Sequence, residues 1–549
     1  MREKIILLLV FILAGTLRFY HLGKNPPSLN LDEVAIGYNA FAILKTGRDE
    51  YGTRFPLAFR SHDDYKPPLY IYLTVPAVAW FGLNEFAVRF PSALAGSVSV
   101  LMTFFLTKEL FLLGVKKKRA ETIALTSALL LAISPWHLQF SRAGFETNVA
   151  VFFTILGTWA WFKAIAGKGK WWLLTAISYA LALYTYQTAR LFIPLFSIAL
   201  AIIFAKSIRA KIREAILALL LFFVLVAPLV PLMTSTAGRI RFKGTSVFEN
   251  PGLIEEEQVR ALVDVENQNL FAMKLYHNRR LAALLTVAEG YLKHFRPDFL
   301  FLGRTGPPVN YTPNVGLLYL IELPLILWGA HSLASLREKR LSAVVFTWIL
   351  AAPVASAFTW DIPSSTRMTM ILPTFQILGA VGLEKVLFPK TLRKSYKKGI
   401  RAAVAIGFLF SVGHYLHQYY VHAPIEFAES WQYGYKQAVQ FVQERQEDYD
   451  KVLVSTNLRQ PQNFFAFYTE YDPRTYIFID GGTVSGGFLE TRNKFGKFEF
   501  HPIDYENLQS EENLLLIDRF DEMPQAYKNK ALKVIELPNG EPTIVISRT

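Results

Sequence analysis

Runs of about 20 apolar residues separated by short basic connections constrain this chain more than any other feature. A helix needs roughly 20 residues to cross the hydrocarbon layer of a bilayer. Within lipid, only helices and closed barrels satisfy their own backbone polar groups. Candidate spans fall at 5–22, 68–83, 89–113, 121–138, 148–166, 171–187, 190–205, 214–232, 314–334, 341–358, 366–388 and 400–421. Several carry an internal proline, as at Pro76, Pro228 and Pro353, which packed membrane helices tolerate. The composition agrees: 52% of residues are hydrophobic and only 19% charged, against about 25% charged in an ordinary soluble domain.

The net charge is +14. The basic residues cluster between the apolar runs, at 116–119, 206–213, 337–340 and 390–398. Loops of this kind face the cytoplasm and its anionic leaflet, so the positive balance points to membrane lipids and not to nucleic acid. The stretch from Met1 to about Tyr20 is basic and then apolar, and without a small-residue cleavage site it reads as the first span, starting in the cytoplasm. Twelve spans from that start would leave the C-terminus in the cytoplasm and put the 116–119 run outside. One further crossing, from a broken or re-entrant helix between 68 and 147, reconciles both, so 12–13 spans are expected. The chain has no cysteine, which excludes disulfides, thiolate metal sites and a cysteine nucleophile.

Two polar loops, 23–67 and 233–313, interrupt the array, the second with an amphipathic stretch at 255–270. Beyond 421 no run is long enough to span. Strand-like pieces at 451–455, 475–479, 514–517 and 543–547 alternate there with a helical one at 433–445. The expected fold class is therefore mainly α: a polytopic membrane helix bundle over 1–421, followed by a soluble α/β domain over 422–549.

The first polar loop concentrates the chemistry. It runs Asn25-Pro26-Pro27-Ser28-Leu29-Asn30-Leu31-Asp32-Glu33 into an amphipathic stretch with Val34, Tyr38 and Phe41 on one stripe. Asn30 and Glu33 have the spacing of a capping box, and Asp32 is a first-turn carboxylate of the kind a helix dipole favours. The same pair, at a helix start beside the membrane, can also act as base and orienter toward an acceptor hydroxyl or amine. The loop ends Ser61-His62-Asp63-Asp64-Tyr65-Lys66-Pro67-Pro68-Leu69-Tyr70. Lys66 either snorkels to the interface or pairs with a lipid-borne phosphate. His62, Asp63 and Asp64 form either a solvated turn or ligands for a divalent metal.

These segments, with Phe81-Gly82-Leu83-Asn84-Glu85-Phe86-Ala87-Val88-Arg89-Phe90-Pro91-Ser92 and the later Ser134-Pro135-Trp136-His137-Leu138-Gln139-Phe140-Ser141-Arg142-Ala143-Gly144-Phe145-Glu146-Thr147-Asn148, resemble the GT-C glycosyltransferase superfamily. The likeness is greatest to its protein O-mannosyltransferase and aminoarabinose-transferase branch. It covers the first ~200 residues well and the rest by span pattern. The resemblance implies a transferase for a hexosyl or pentosyl unit carried on a polyprenyl phosphate, working at the extracytoplasmic face of the plasma or inner membrane. It implies Asp32 as general base, Glu33 as its neighbour shaping the same loop, and Lys66 on the donor phosphate. Glu146 falls where relatives carry an acid of the second external loop, often Asp, and Arg142 before it either binds phosphate or braces that acid. Arg367, in Trp360-Asp361-Ile362-Pro363-Ser364-Ser365-Thr366-Arg367, suits phosphate as a bidentate partner or serves as an interfacial anchor. His62, Asp64, Tyr65, Arg304 and Tyr311 are weaker candidates. The acceptor would be a protein, a lipid or a glycan.

No GxxxxGK[ST], HExxH or GxSxG pattern occurs, and no nucleotide-sugar domain is visible. The Gly-rich stretch 480–487 departs from dinucleotide spacing and reads as a loop. A flippase or transporter of lipid-linked sugars is the main alternative. Transporters tend to show internal repeats and mid-span charges, whereas here no repeat is seen and the candidate charges sit at one face. A non-enzymatic scaffold predicts no consequence for changes at Asp32.

Overall fold

The computed structural model describes residues 2–549 except 62–63, 168, 236–237, 239–243, 245, 250, 278, 304–305, 389–393, 480–492 and 511–512. Each of the twelve apolar runs contains helix. By length and apolarity, four helices among the described residues can cross a membrane: Glu85–Leu112, Glu146–Ile165, Lys339–Ala357 and Tyr396–Glu426. Two bent pairs raise that to six. Leu69–Phe81, Trp171–Thr185 and Ala189–Ile203 are shorter apolar helices, the first and last with an internal proline, and the 314–334 run becomes helical only from Glu322. One bent pair, Lys117–Ile133 with Pro135–Ser141, turns by 58°. It lies within 68–147, where a broken helix was expected.

The chain divides into two compact units. The first comprises Met1–Arg18, Leu94–Phe140 and Glu146–Leu416. Its helices carry apolar side chains outward as well as inward: Val224 is 70% and Phe410 74% exposed. A surface of this kind needs lipid rather than water around it, as befits an integral membrane protein. Inside the unit, Gly329 and Gly382 sit where helices Glu322–Ala334 and Thr374–Leu387 approach so closely that a Cβ on either would collide with the backbone of Leu378 or Leu325. Small residues at such crossings substitute for the missing hydrophobic drive between helices in lipid. Arg18 is buried and donates to the carbonyls of Leu131 (3.3 Å) and Ala132 (3.2 Å) in the last turn of the helix Lys117–Ile133, and its guanidinium also meets Nδ1 of His137 at 2.6 Å.

The second unit comprises Phe19–Ala93, Ser141–Phe145 and His417–Thr549. This compact unit joins 19–93 with the C-terminal region. The reason is burial on both sides of the helix Leu31–Thr46, which packs against Leu69–Phe81 and against helices Pro461–Tyr468 and Pro473–Phe478. A side chain at Gly37 would strike Phe467, and the hydroxyl of Tyr38 donates to the carbonyl of Tyr471 at 3.1 Å.

Among the described residues this unit holds eight strands: β1 Phe59–Ser61, β2 Asp64–Lys66, β3 Lys451–Val454, β4 Lys494–Phe495, β5 Phe498–Phe500, β6 Leu514–Arg519, β7 Ala531–Glu536 and β8 Pro542–Arg548. β1 and β2 pair antiparallel, with Phe59 opposite Lys66. The others form one mixed sheet in the order β4-β5-β3-β6-β8-β7, parallel at β5-β3-β6 and antiparallel elsewhere. Leu453, Leu508, Leu514, Leu516, Met523 and Val545 make its core on one face. The expected strand at 475–479 is helix instead, over Pro473–Phe478. Asp472 caps it by accepting the N–H of Arg474 at 3.0 Å, and Pro473 occupies the first turn, where its missing donor is harmless.

Candidate functional site

The helix Leu31–Thr46 begins with the capping box read from the sequence. The side chain of Asn30 accepts the N–H of Glu33 at 3.0 Å, and Glu33 Oε2 accepts the N–H of Asn30 at 3.1 Å. Glu33 does more than cap. Its carboxylate is 1% exposed and takes Arg89 Nε at 2.8 Å, Arg89 Nη2 at 3.2 Å and the N–H of Gly144 at 2.8 Å. The remaining donors of Arg89 reach the carbonyls of Leu22 (3.1 Å), Pro26 (2.9 Å) and Ser28 (2.5 Å). One buried, saturated ion pair therefore ties the 22–33 loop, the helix from Glu85 and the segment 141–145 together. A carboxylate so bonded has little freedom to accept a substrate proton, and its contribution is to hold the loop.

Asp32, one residue earlier, points the other way. Its side chain is 63% exposed and its Oδ1 lies 2.7 Å from Nζ of Lys66, whose own side chain is only 9% exposed. The antiparallel pairing of β1 with β2 holds Lys66, and Pro67 and Pro68 separate it from the helix that follows. The arrangement is an accessible carboxylate in the capped first turn of a helix, beside an ammonium whose stem is buried.

Arg142 lies in the same unit but is buried. Its Nε donates to the hydroxyl of Tyr419 (3.0 Å) and its Nη2 to the carbonyls of Tyr20 (2.8 Å) and Asn25 (3.0 Å), and its guanidinium covers the rings of Tyr419 and Tyr420. It braces the first loop. Tyr65 is half-buried on β2, opposite Arg60. Asp64 is on the same strand, opposite Ser61. His62, Asp63 and Arg304 lie outside the described residues, as does the Gly-rich stretch 480–487. Among the described residues, no group of three or more acidic or histidine side chains converges to hold a metal.

Glu146, Tyr311 and Arg367 belong to the other unit. Glu146 opens the helix Glu146–Ile165 as a first-turn acid. Arg367 Nη1 donates to the carbonyl of Asp361 at 2.8 Å and to Thr359 Oγ1 at 3.1 Å, and lies 3.6 Å from the Asp361 carboxylate. Burial raises the Tyr311 phenol above its usual range. His294 is buried, with Nδ1 on the carbonyl of Gly290 at 2.6 Å, and with Nε2 against Ser356 Oγ at 2.7 Å while also accepting the N–H of Ser364 at 3.3 Å. Burial, with the nearby Arg367 charge, pushes its pKa down to about 4.

Two residues of this site lie outside the candidates read from the sequence: Arg89, which stood there without a role, and Tyr419, which accepts from Arg142. The signal for Arg89 was a lone arginine in an apolar helix, which demands a buried partner. Tyr419 carries no local signal, because its carbonyl accepts from Asn25 of the first loop across 394 residues of chain.

Over its full length the chain superposes on ArnT from Cupriavidus metallidurans, crystallised bound to undecaprenyl phosphate. The TM-score is 0.54 at 13% identity, covering 98% of this chain and 97% of that one. The fold is GT-C. The family profile described as dolichyl-phosphate-mannose-protein mannosyltransferase matches residues 65–232 of this chain. Two Bacillus subtilis proteins are also similar. "Putative mannosyltransferase YkcB" is 31% identical over 175 residues, which is 31% of this chain and 22% of that protein. "Putative mannosyltransferase YycA" is 27% identical over 221 residues, or 39% and 30%. Each match thus spans less than a third of the curated relative.

Proposed function

We propose that this GT-C chain is a membrane glycosyltransferase. It would move a hexosyl or pentosyl unit from a polyprenyl-phosphate donor to an acceptor at the extracytoplasmic face, with residues 422–549 on that same side. The observation that carries the reading is the Asp32–Lys66 pair: an exposed carboxylate 2.7 Å from an ammonium, at a helix start held by the buried Glu33–Arg89 pair.

In the proposed step, Asp32 takes the acceptor's hydroxyl proton while the oxygen attacks the anomeric carbon. The new C–O bond forms as the bond to the lipid phosphate breaks, and the electron pair leaves with the phosphate. Lys66, the ammonium beside that carboxylate, stabilises the departing charge. A single displacement of this kind inverts the anomeric centre. The superposition on a structure crystallised with a polyprenyl phosphate supports a lipid-borne donor, and the mannosyltransferase relatives support a sugar as the group transferred.

The test uses purified protein in detergent with undecaprenyl phosphate carrying mannose, glucose or an aminopentose, and membranes from the producing cells as acceptor source. Sugar leaving the lipid for an acceptor supports the reading. Binding of the donor with no transfer from any of the three returns the chain to the flippase alternative.

A further inference from the structure

The first turn of an α-helix leaves backbone N–H groups with no partner inside the helix. At the Asp32 helix, those of Asn30 and Glu33 close on each other's side chains. The N–H of Leu31 is met from far along the chain: it donates to Oε1 of Gln432 at 3.2 Å. The Gln432 amide is oriented from its other end, where Nε2 donates to the carbonyl of Ser430 at 3.1 Å, so the oxygen must face Leu31. The carbonyl of Gln432 also receives the hydroxyl of Ser28 at 3.4 Å. The preceding residue, Trp431, is buried with its ring 5.8 Å from the Arg89 guanidinium.

Gln432 makes these contacts from a backbone at φ 48°, ψ 41°, in the left-handed region. A residue with a Cβ is disfavoured there relative to glycine. Conformation alone would select glycine at this turn. What glycine lacks is the acceptor that Leu31 uses.

We propose that Gln432 is a positioning residue for the transfer reaction. Its Oε1 fixes the first turn of the helix that presents Asp32, so the C-terminal region completes the catalytic apparatus. The proposal rests on the reading of Asp32 as general base.

The experiment compares Gln432→Gly and Gln432→Glu in the full-length protein, with the three undecaprenyl-phosphate sugars and membrane acceptors named above. Gln432→Gly relieves the left-handed backbone and removes the acceptor. Its Tm is expected to hold or rise, with kcat about tenfold lower and donor KM within about twofold of wild type, as loss of one orienting hydrogen bond implies. Gln432→Glu keeps the acceptor oxygen and is expected within about threefold of wild-type kcat. Wild-type kcat in the glycine variant, a lowered Tm in that variant, or equal losses in both variants would overturn the proposal while leaving the transferase reading standing. No transfer by the wild-type protein from any of the three donors would remove both.

Discussion

Arg89 bonds both carboxylate oxygens of Glu33, at 2.8 and 3.2 Å, with both side chains sealed from solvent. Removing one member of such a pair strands the other charge in the interior, at a cost of about 3–5 kcal/mol. Arg89→Ala and Glu33→Ala are each expected to lower stability by that amount in thermal or denaturant unfolding. The double variant should lose less than the sum. Additive losses would show that the two do not act as a unit.

The Asp32–Lys66 pair behaves in the opposite way. Asp32 is largely exposed, and an exposed ion pair contributes about 0–1 kcal/mol. Lys66→Met should therefore leave the unfolding transition nearly unchanged while raising donor KM about tenfold or more. If donor KM stays put, Lys66 is an interfacial anchor and not a phosphate partner.

Arg142 uses its planar fork on three acceptors at once. Lysine keeps the charge and loses the fork. Arg142→Lys should destabilise the protein by about 1–3 kcal/mol and reduce transfer along with it. Wild-type stability in this variant, with donor affinity retained, would mean that only the charge matters.

His294 supplies a pH dependence. Its folded pKa lies near 4, below the ordinary 6.5. Between those values the unfolded chain binds the extra proton, so this contribution is fully present above about pH 6.5 and is lost as pH falls toward 4, by at most about 1.4 kcal/mol per pH unit. Melting temperatures from pH 7 to 4 should fall more steeply in wild type than in His294→Gln. Parallel profiles would show that His294 does not carry the effect.

Much of the fold was legible in the sequence, since apolar runs of helical length leave few alternatives in a bilayer. The Asn30–Glu33 cap was equally readable, because its partners are three residues apart. The strand expected at 475–479 failed for a local reason: β-branched and aromatic residues outweighed the Asp472-Pro473 start signal. The roles of Glu33 and Arg142 could not be separated from that of Asp32 by residue type, because all three are charged residues near loops. Burial separates them. Gln432 and Tyr419 were out of reach, since nothing near either residue announces a contact with residues 20–31.

The central claim is that Asp32 takes the acceptor proton, and Asp32→Asn tests it most directly. Asparagine preserves size and an exposed position but cannot accept that proton. Single-turnover transfer from a loaded undecaprenyl-phosphate sugar should fall by about 10²–10⁴-fold, with donor binding and the melting temperature close to wild type. Transfer at the wild-type rate in a variant that folds and binds donor would contradict the account.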